Sequence, residues 1–410
     1  MKCAAILFLA VPANQAQEPV ADYSAVVDAN TRFALKVART HAPSIKKNEI
    51  ISPIALSSGF ALLRNGASTQ CADQIGSTFE FGRIPLDNMN RAYGGLLNEL
   101  VDRPPVHASS KAGIGGNVPV RPNGLFLANS FWDLTTIRFS AFFRSINDSY
   151  YHAEVAQHKR QDAAAAISKW AYDKSFGTMT GLTTPVSEDD FVFTSLLYFR
   201  AYWSHKFSAN ATRQADFTLL SGATKPVLMM KQSGAYQYER TDQFEAIILP
   251  YSNGRYLYIF LPDKTSSLRD FQAELRDENW AKWTESMTTR EGTIELPKFH
   301  INGKIDVQEL LKGLGSDCAF ESLAAFSKAV PAEGAKLTHA EQTLSFASDE
   351  LGSEAVAFTE AGGVVGGVPG GVPGWEPPPP FHMIVNRPFF AAIMDLRTRT
   401  IVLIASVVEP

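Results

Sequence analysis

The chain has 410 residues, of which 45% are apolar and 20% charged, and its formal net charge at pH 7 is −4. This balance is that of a globular protein with a large core. The slight excess of acidic residues argues against nucleic acid or an anionic membrane surface as the main partner. No apolar run reaches the roughly 18 residues that cross a bilayer, so the sequence predicts no membrane segment.

The first residues have the composition of a secretory signal peptide. Lys2 precedes a nine-residue apolar run, and small residues follow at Ala13 and Ala16. A basic start, a short apolar stretch and a small-residue cleavage region are typical of such signals. A cut after Ala16 gives a signal peptide over 1–16 and a single domain over 17–410. A cut after Ala13 and a buried N-terminal helix are the alternatives. We expect a secreted, extracellular protein.

Two further features bear on secretion. Asn-x-Ser/Thr sequons at Asn147 and Asn210 add weak support for a glycoprotein. Removal of the signal peptide leaves two cysteines, Cys71 and Cys318. They could pair, but two cysteines make no disulfide framework, and a domain of this size has no need of one. We therefore expect two free, buried thiols.

Apolar periodicity and breaker residues predict several elements along the chain. We expect helices over 24–42, 52–66, 163–172 and 306–314, strands over 126–132, 191–203, 227–238, 246–251, 256–261 and 401–408, and a loop rich in Pro, Gly and Ser over 104–124. Helices cluster early and strands late, which predicts the α+β class.

Residues 360–380 form an unusual segment. It contains three tetrapeptide repeats that begin at Gly362, Gly366 and Gly370, and it ends in four prolines, Pro377 to Pro380. Gly costs backbone entropy in any fixed structure, and Pro removes donors from a strand ladder. The segment is therefore predicted to be a flexible loop with a stiffer polyproline end. Loops of this length are usually functional or disordered, and a mere surface insertion is the alternative.

The residues just before the repeats alternate between small and large side chains. One face of an extended chain carries Ser353, Ala355, Ala357, Thr359 and Ala361, and the other carries Glu354, Val356, Phe358 and Glu360. Strand side chains alternate between faces, so this segment could enter a sheet with its small face against the core. Ala and Glu also favour helices, so a helix is an alternative. A segment with these options suits a conformational switch.

The same residues match the hinge pattern of the serpin family, an acidic residue and a Gly followed by small residues and a Thr. The matching positions are Glu350, Gly352, Ser353, Glu354, Ala355, Ala357 and Thr359. Other motifs match in order along the chain, among them Ser52-Pro53, Ala128-Asn129, Trp170, Tyr198-Phe199-Arg200, Leu249-Pro250-Tyr251, Leu296-Pro297-Lys298-Phe299 and Asn386-Arg387-Pro388-Phe389. Together these motifs are specific, and the chain resembles a serpin.

The resemblance implies a fold of three β-sheets with eight or nine helices and a reactive loop over about 350–380. It implies a monomer that acts as a suicide substrate. A serine proteinase attacks the loop and forms a covalent acyl-enzyme, and the cut hinge then inserts into the main sheet. The chain would supply no catalytic residue and need no cofactor or metal. We find no Gly-x-Ser-x-Gly, His-Glu-x-x-His or phosphate-loop motif that would indicate an enzyme.

The resemblance also implies a position for the scissile bond. The family spacing counted forward from Gly352 reaches residue 366, whereas the spacing counted back from Asn386 reaches residue 377, so the loop is longer than usual. We favour the hinge count, which implies a scissile region of Val364, Val365, Gly366, Gly367 and Val368. Small apolar residues suit an elastase-like proteinase. Cleavage at Trp375 by a chymotrypsin-like enzyme is the alternative.

Some positions depart from the family pattern. Where a serpin sheet opens, the family normally has a Ser, an Asn and a His, and the matching positions here, next to Ser52, are Ala55, Ser195 and Gln342. The polar network is therefore expected to be replaced as a set. The glycines from 362 onward are poor strand formers, so insertion could stall. A non-inhibitory serpin, acting as carrier, chaperone or storage protein, is thus the alternative. An enzyme or an unrelated binding module is the third interpretation.

Overall fold

The computed structural model describes residues 22–103, 121–134, 139–179, 191–322, 324–330, 336–353 and 379–410. Several predictions fall outside these described residues: the signal peptide over 1–16, most of the loop over 104–124, the hinge residues Glu354, Ala355, Ala357 and Thr359, and the scissile region Val364, Val365, Gly366, Gly367 and Val368.

The described residues contain ten α-helices. They are α1 Ser24–His41, α2 Pro53–Gly66, α3 Thr69–Thr78, α4 Leu86–Leu100, α5 Ala141–Ile146, α6 Arg160–Lys174, α7 Leu268–Ala273, α8 Asp277–Ser286, α9 Val307–Gly313 and α10 Cys318–Glu321. Local sequence explains the start of α2, because the Ser52 side chain accepts a hydrogen bond from the Ala55 N–H and Pro53 takes the first helical position.

Fifteen strands lie in the same described ranges. They are β1 Glu49–Ile51, β2 Gly124–Asp133, β3 Glu154–Gln157, β4 Phe191–Tyr202, β5 Arg213–Thr218, β6 Thr224–Arg240, β7 Phe244–Pro250, β8 Arg255–Pro262, β9 Thr288–Pro297, β10 Phe299–Asp306, β11 His339–Ser348, β12 Gly352–Ser353, β13 Phe381–Ile384, β14 Phe389–Asp395 and β15 Thr400–Val407.

Hydrogen bonds join these strands into two sheets. The nine-stranded sheet has the order β1-β15-β14-β8-β7-β6-β9-β13, with β5 also paired to β6. The six-stranded sheet has the order β10-β11-β12-β4-β2-β3, and β11 also pairs with β4. The resemblance implied three sheets. The described part of the chain has only two separate sheets, because the 17-residue strand β6 belongs to two groups of strands at once. One part of β6 pairs with β5 and β9, and its end pairs with β7, so the two groups join into one sheet.

The central strands are buried on both faces, which explains why they read as continuous apolar runs. Every residue of β15 is buried, and α1 and α2 pack on it. All but the last residue of β4 is buried, with α2 on one side and α6 on the other. Under α6 a smaller aromatic cluster forms around Trp132, Trp170 and Tyr198. Helices thus pack on a central strand of each sheet.

The sequence predictions agree with this architecture in its main elements. The predicted helices over 24–42, 52–66, 163–172 and 306–314 correspond to α1, α2, α6 and α9, and each predicted strand corresponds to β2, β4, β6, β7, β8 or β15. The α+β class is confirmed. The ten helices in the described ranges exceed the eight or nine that the resemblance implied.

The expectation of two free thiols is wrong. Cys71 in α3 and Cys318 in α10 form a disulfide, with their Cα atoms 5.4 Å apart and 247 positions apart in sequence. Both side chains are buried, at 0% and 6% exposure. The expectation was wrong because it was argued from domain size, whereas the fold places α3 directly against α10.

Candidate functional site

One end of the six-stranded sheet is held open by the first residues of the predicted hinge. β11 and β4 run parallel and pair directly from His339–Leu344 to Val192–Leu197. Beyond this stretch the short strand β12 lies between them. Gly352 pairs with Tyr202 and Ser353 with Ala201, while Ser353 also pairs with Ser348 of β11. We call this region the insertion end of the sheet.

A tight turn brings the chain from β11 back into the sheet. The Asp349 carboxylate accepts hydrogen bonds from the N–H groups of Leu351 (2.8 Å) and Gly352 (3.1 Å). The Asp349 N–H donates to the Gly352 carbonyl at 2.9 Å. Asp side chains commonly satisfy turn N–H groups in this way. The turn therefore fixes the direction in which the hinge enters the sheet.

Glu350 anchors this turn to the neighbouring sheet. Its carboxylate forms an ion pair with Lys298 at 2.8 Å and accepts a hydrogen bond from the Thr212 hydroxyl at 2.8 Å. Its backbone carbonyl accepts from the Phe207 N–H at 3.0 Å. Burial raises the pKa of Glu350, but the bonds from Lys298 and Thr212 outweigh burial and hold this pKa below the ordinary value. The carboxylate is thus charged at neutral pH.

Two aromatic residues close the insertion end from below. The Trp203 indole N–H donates to the Asp349 carbonyl at 2.8 Å, and the Trp203 ring stacks on Tyr251 with centroids 4.4 Å apart. The Tyr251 hydroxyl lies 2.6 Å from the Ser353 hydroxyl. Burial raises the pKa of Tyr251 far above its ordinary value, so the phenol stays neutral. Either of the two hydroxyls can then donate the hydrogen bond to the other.

Gly352 and Ser353 fit between the strands because they are small. A Cβ atom on Gly352 would lie 2.0 Å from the Ala201 carbonyl oxygen, which is closer than any real contact. The Ser353 side chain belongs to the small face of the hinge and is 1% exposed. Ser353, the first residue of the predicted small face, is thus buried where β12 enters the sheet.

Further along β11, Gln342 joins the sheet to the start of α2. Its amide oxygen accepts from the Ser52 N–H at 2.9 Å, and its amide nitrogen donates to the Ser52 carbonyl at 3.1 Å. The Ser52 hydroxyl donates to the Val402 carbonyl of β15 at 2.8 Å. Gln342 and Ser52 are both 0% exposed. Three elements thus meet at one buried backbone position.

The other two predicted sheet-opening residues play smaller parts. Ala55 contributes its carbonyl, which accepts from Asn129 Nδ2 at 3.1 Å and from the Ser58 hydroxyl at 3.1 Å. Ser195 pairs in register with Gln342, but its buried hydroxyl has no hydrogen-bond partner among the described residues. The network is therefore centred on Gln342 and Ser52, with Asn129 and Ser58 as additional members.

Comparisons with known proteins identify the architecture. The sequence model of the Serpin family, described as serine protease inhibitor, matches residues 28–410. The chain belongs to the serpin family. It is 23% identical over 373 residues to human Serpin A12, covering 89% of this chain and 83% of the relative. It is 25% identical over 404 residues to Serpin-Z1A of Triticum aestivum, covering 93% and 95%.

The fold agrees with solved serpins as well. The crystal structure of tengpin, a thermophilic serpin in the native state, superimposes with a TM-score of 0.80 at 22% identity and covers 98% of both chains. At this identity the likeness establishes the fold. The α+β serpin fold predicted from the sequence motifs is thereby confirmed.

In this serpin several residues of the family motifs turn out to anchor the hinge, a role that the motifs alone did not indicate. Tyr251 and Lys298 lie in the family motifs named above, and Trp203 and Thr212 follow the same family spacing, yet these motifs assigned no role to any of the four. The structure brings all four to the turn around Glu350, as anchors of the hinge. Their common signal was their position in the family's motif pattern, and no chemistry that could be read from the residues alone marked them.

The two predicted glycosylation sites differ in the structure. Asn147 is 3% exposed, and its amide bonds both the N–H and the carbonyl of Ala153, each at 2.9 Å. A glycan cannot be accommodated there in the folded chain. Asn210 lies in the short helical turn Ala209–Ala211 and is exposed. We retain only Asn210 as a proposed site.

No helix of the described residues is long and apolar enough to span a membrane.

Proposed function

We propose that this serpin inhibits a serine proteinase as a suicide substrate. The proteinase cleaves the reactive loop within about 350–380, and the cut hinge enters the six-stranded sheet as a further strand. The observation that carries the proposal is the position of β12, whose residues Gly352 and Ser353 already pair between β11 and β4. Insertion would extend a strand pairing that already exists, so no new strand pairing has to be nucleated.

The energetic driving force would come from completing the sheet. Past Leu344 and Leu197 the facing edges of β11 and β4 are no longer paired with each other. A strand added there would satisfy both backbone edges and bury its small face. The Ser353 hydroxyl, which is buried beside Tyr251, indicates which face would point inward.

For the target, we propose an elastase-like proteinase that cuts within Val364, Val365, Gly366, Gly367 and Val368. The support is the family spacing from Gly352 together with the small apolar residues in that region. A covalent acyl-enzyme with the serpin acting as a monomer is part of the same proposal.

We also propose that the protein is secreted after removal of residues 1–16, that residues 17–410 form one serpin domain, and that Asn210 carries a glycan. The disulfide between Cys71 and Cys318 supports this proposal, since such bonds persist in oxidising compartments and are rare in the cytosol. N-terminal sequencing of the secreted protein, and its mass before and after glycan removal, test these points. A mature protein that begins at Met1 would contradict them.

The central experiment incubates the purified serpin with elastase-, chymotrypsin- and trypsin-like enzymes and separates the products on denaturing gels. We expect a covalent complex with the elastase-like enzyme, and a released C-terminal fragment that begins within 365–369. Cleavage by every enzyme without a complex would overturn the proposal. A cut only at Trp375 would overturn the proposed target.

A matched pair of hinge variants separates insertion from simple cleavage. In Ala357→Arg the charge is placed on the small face of the hinge, whereas in Val356→Arg it is placed on the large face. An arginine that faces the core leaves an unpaired buried charge, so A357R should be cut without forming the complex. V356R should keep forming it. Equal behaviour of the two variants would contradict insertion as the inhibitory step.

A non-inhibitory serpin, acting as carrier, chaperone or storage protein, is the second candidate. Two observations favour it: the glycine repeats from 362 onward, which are poor strand formers, and the direct pairing of β11 with β4 over six residues, with Gln342 bonded to Ser52 beneath it. Heating distinguishes the two. An inhibitor cleaved in its loop should melt at a much higher temperature than the intact chain, whereas a non-inhibitory serpin should not change.

A further inference from the structure

A cavity of about 420 Å³ lies at the opposite end of β10 from the insertion end. Its walls come from the last turns of α1, from β1, from Asn302–Asp306 of β10, from α9 and from the inner strands β14 and β15. This volume is within the range of small-molecule sites, about 300–1,000 Å³. The residues that form it are not used by the hinge or by the Gln342 network.

The inner wall of this cavity is apolar. It is formed by the side chains of Ile50, Ile51, Leu310, Phe390 and Ile404, each of which is at most 5% exposed. These residues belong to four different elements that pack together in the main core, so the wall is rigid. A concave apolar surface of this kind favours a ligand with an apolar body.

Charged groups of both signs surround the cavity, and two of them form ion pairs with neighbouring side chains. Three carboxylates, of Glu49, Asp306 and Glu309, face His41, Lys47 and Lys304. His41 lies 3.5 Å from Glu49, and Lys304 forms an ion pair with Glu341. Asp306 accepts the Glu309 N–H at the start of α9. The charged groups therefore form no cluster of one sign that would favour a carboxylate, a phosphate or an ammonium group.

One pair of polar side chains interrupts the apolar wall. Gln272 of α7 and Ser406 of β15 both line the cavity, at 1% and 4% exposure. The Gln272 amide nitrogen donates to the Ser406 hydroxyl at 3.0 Å. The Gln272 carbonyl oxygen is buried and has no hydrogen-bond partner among the described residues. A buried amide with an unmatched group is costly, and a ligand hydrogen bond would relieve that cost.

We propose that this cavity binds a small uncharged molecule with an apolar body and one hydroxyl group, and that Gln272 and Ser406 recognise the hydroxyl. The apolar wall supplies affinity through burial. The Gln272–Ser406 pair supplies selectivity, because a hydroxyl can both donate to the glutamine carbonyl and accept from the serine hydroxyl.

The test uses two probes of the same shape, 4-tert-butylphenol and 4-tert-butyltoluene, with binding to the full-length serpin followed by ligand-observed NMR titration. The intact protein should bind the phenol saturably and about fivefold more tightly than the toluene, as expected for one net hydrogen bond. In Gln272→Leu the two affinities should become equal, through loss of affinity for the phenol alone.

A variant at the exposed edge of the cavity tests the location without disturbing the core. Thr40 of α1 is exposed and lines the cavity, so Thr40→Trp should weaken binding of both probes. Ala25→Trp, at an exposed position near the other end of α1, should leave both affinities unchanged. Circular dichroism checks that each variant is folded. The proposal is overturned if neither probe binds saturably, if the phenol preference persists in Q272L, or if T40W binds as the unaltered protein does.

Discussion

Gln342→Met tests whether the contact between β11 and the start of α2 stabilises the native state. Methionine has nearly the same length and volume as glutamine, so the substitution removes the polar amide without opening a cavity. The Ser52 N–H, which bonds only the Gln342 amide oxygen, would be left buried without a partner. The Ser52 carbonyl would lose its bond from Gln342 but keep the Leu56 N–H, which lies 3.3 Å away.

These two losses differ in size. An orphaned buried N–H costs about 1–3 kcal/mol, and a carbonyl that retains one donor loses about 0.5–1.5 kcal/mol. The free energy of unfolding should therefore fall by about 1.5–4.5 kcal/mol. We would measure it from urea unfolding curves followed by tryptophan fluorescence, with the first unfolding transition compared between variants.

Gln232→Met is the matched control. The Gln232 amide is hydrogen-bonded on both of its ends, because it donates to the carbonyls of His205 at 2.6 Å and Lys206 at 2.9 Å and accepts from the Tyr236 hydroxyl at 2.7 Å, but it is partly exposed. Water can replace those bonds, so the loss should stay below about 1 kcal/mol. The reasoning would be refuted if Q342M unfolded within about 0.5 kcal/mol of the unaltered protein, or if Q232M lost as much as Q342M.

Three further predictions follow from other contacts. Replacing Cys71 and Cys318 with serine should lower the free energy of unfolding by up to about 5 kcal/mol, the chain-entropy limit for so long a loop; a reducing agent should destabilise the unaltered protein but not this variant. Gly352→Val should expel β12, because its Cβ would meet the Ala201 carbonyl at 2.0 Å; unchanged amide hydrogen exchange at Ala201 would contradict this. For Glu295, burial raises the pKa, but the hydrogen bond from His382 and the nearby cations Arg213 and Lys231 outweigh burial and bring this pKa below the usual 4.5. The Glu295 carboxylate therefore stabilises the fold above its unfolded pKa, and this stabilisation is lost as the pH falls through the folded pKa. From pH 5 to 3 the melting temperature of Glu295→Gln should accordingly fall less steeply than that of the unaltered protein.

Local signals were sufficient for much of the fold. Ser52 followed by Pro53 predicted the start of α2, and the continuous apolar run over 191–203 predicted β4, because each depends on neighbouring residues only. The spacing of apolar residues in α4 would have predicted that helix in the same way, since Met89, Tyr93 and Leu100 all lie on its buried face.

Contacts between distant segments could not be predicted from local patterns. The Gln342–Ser52 bonds join residues 290 positions apart and depend on how β11 registers with β4. The sequence placed Gln342 and Ser52 in the same region only through the serpin resemblance. The apolar wall of the cavity beside Gln272 depends on four elements meeting in space, and no sequence motif marks it.

The disulfide imposes an order in time on biosynthesis. Cys318 follows Cys71 by 247 residues. Ribosomes add about 5–20 residues per second, so the partner thiol emerges on the order of 10–50 s later. During that interval the Cys71 thiol has no native partner. The native disulfide is therefore a late event, because it can close only after β2, β4 and β10 have been synthesised.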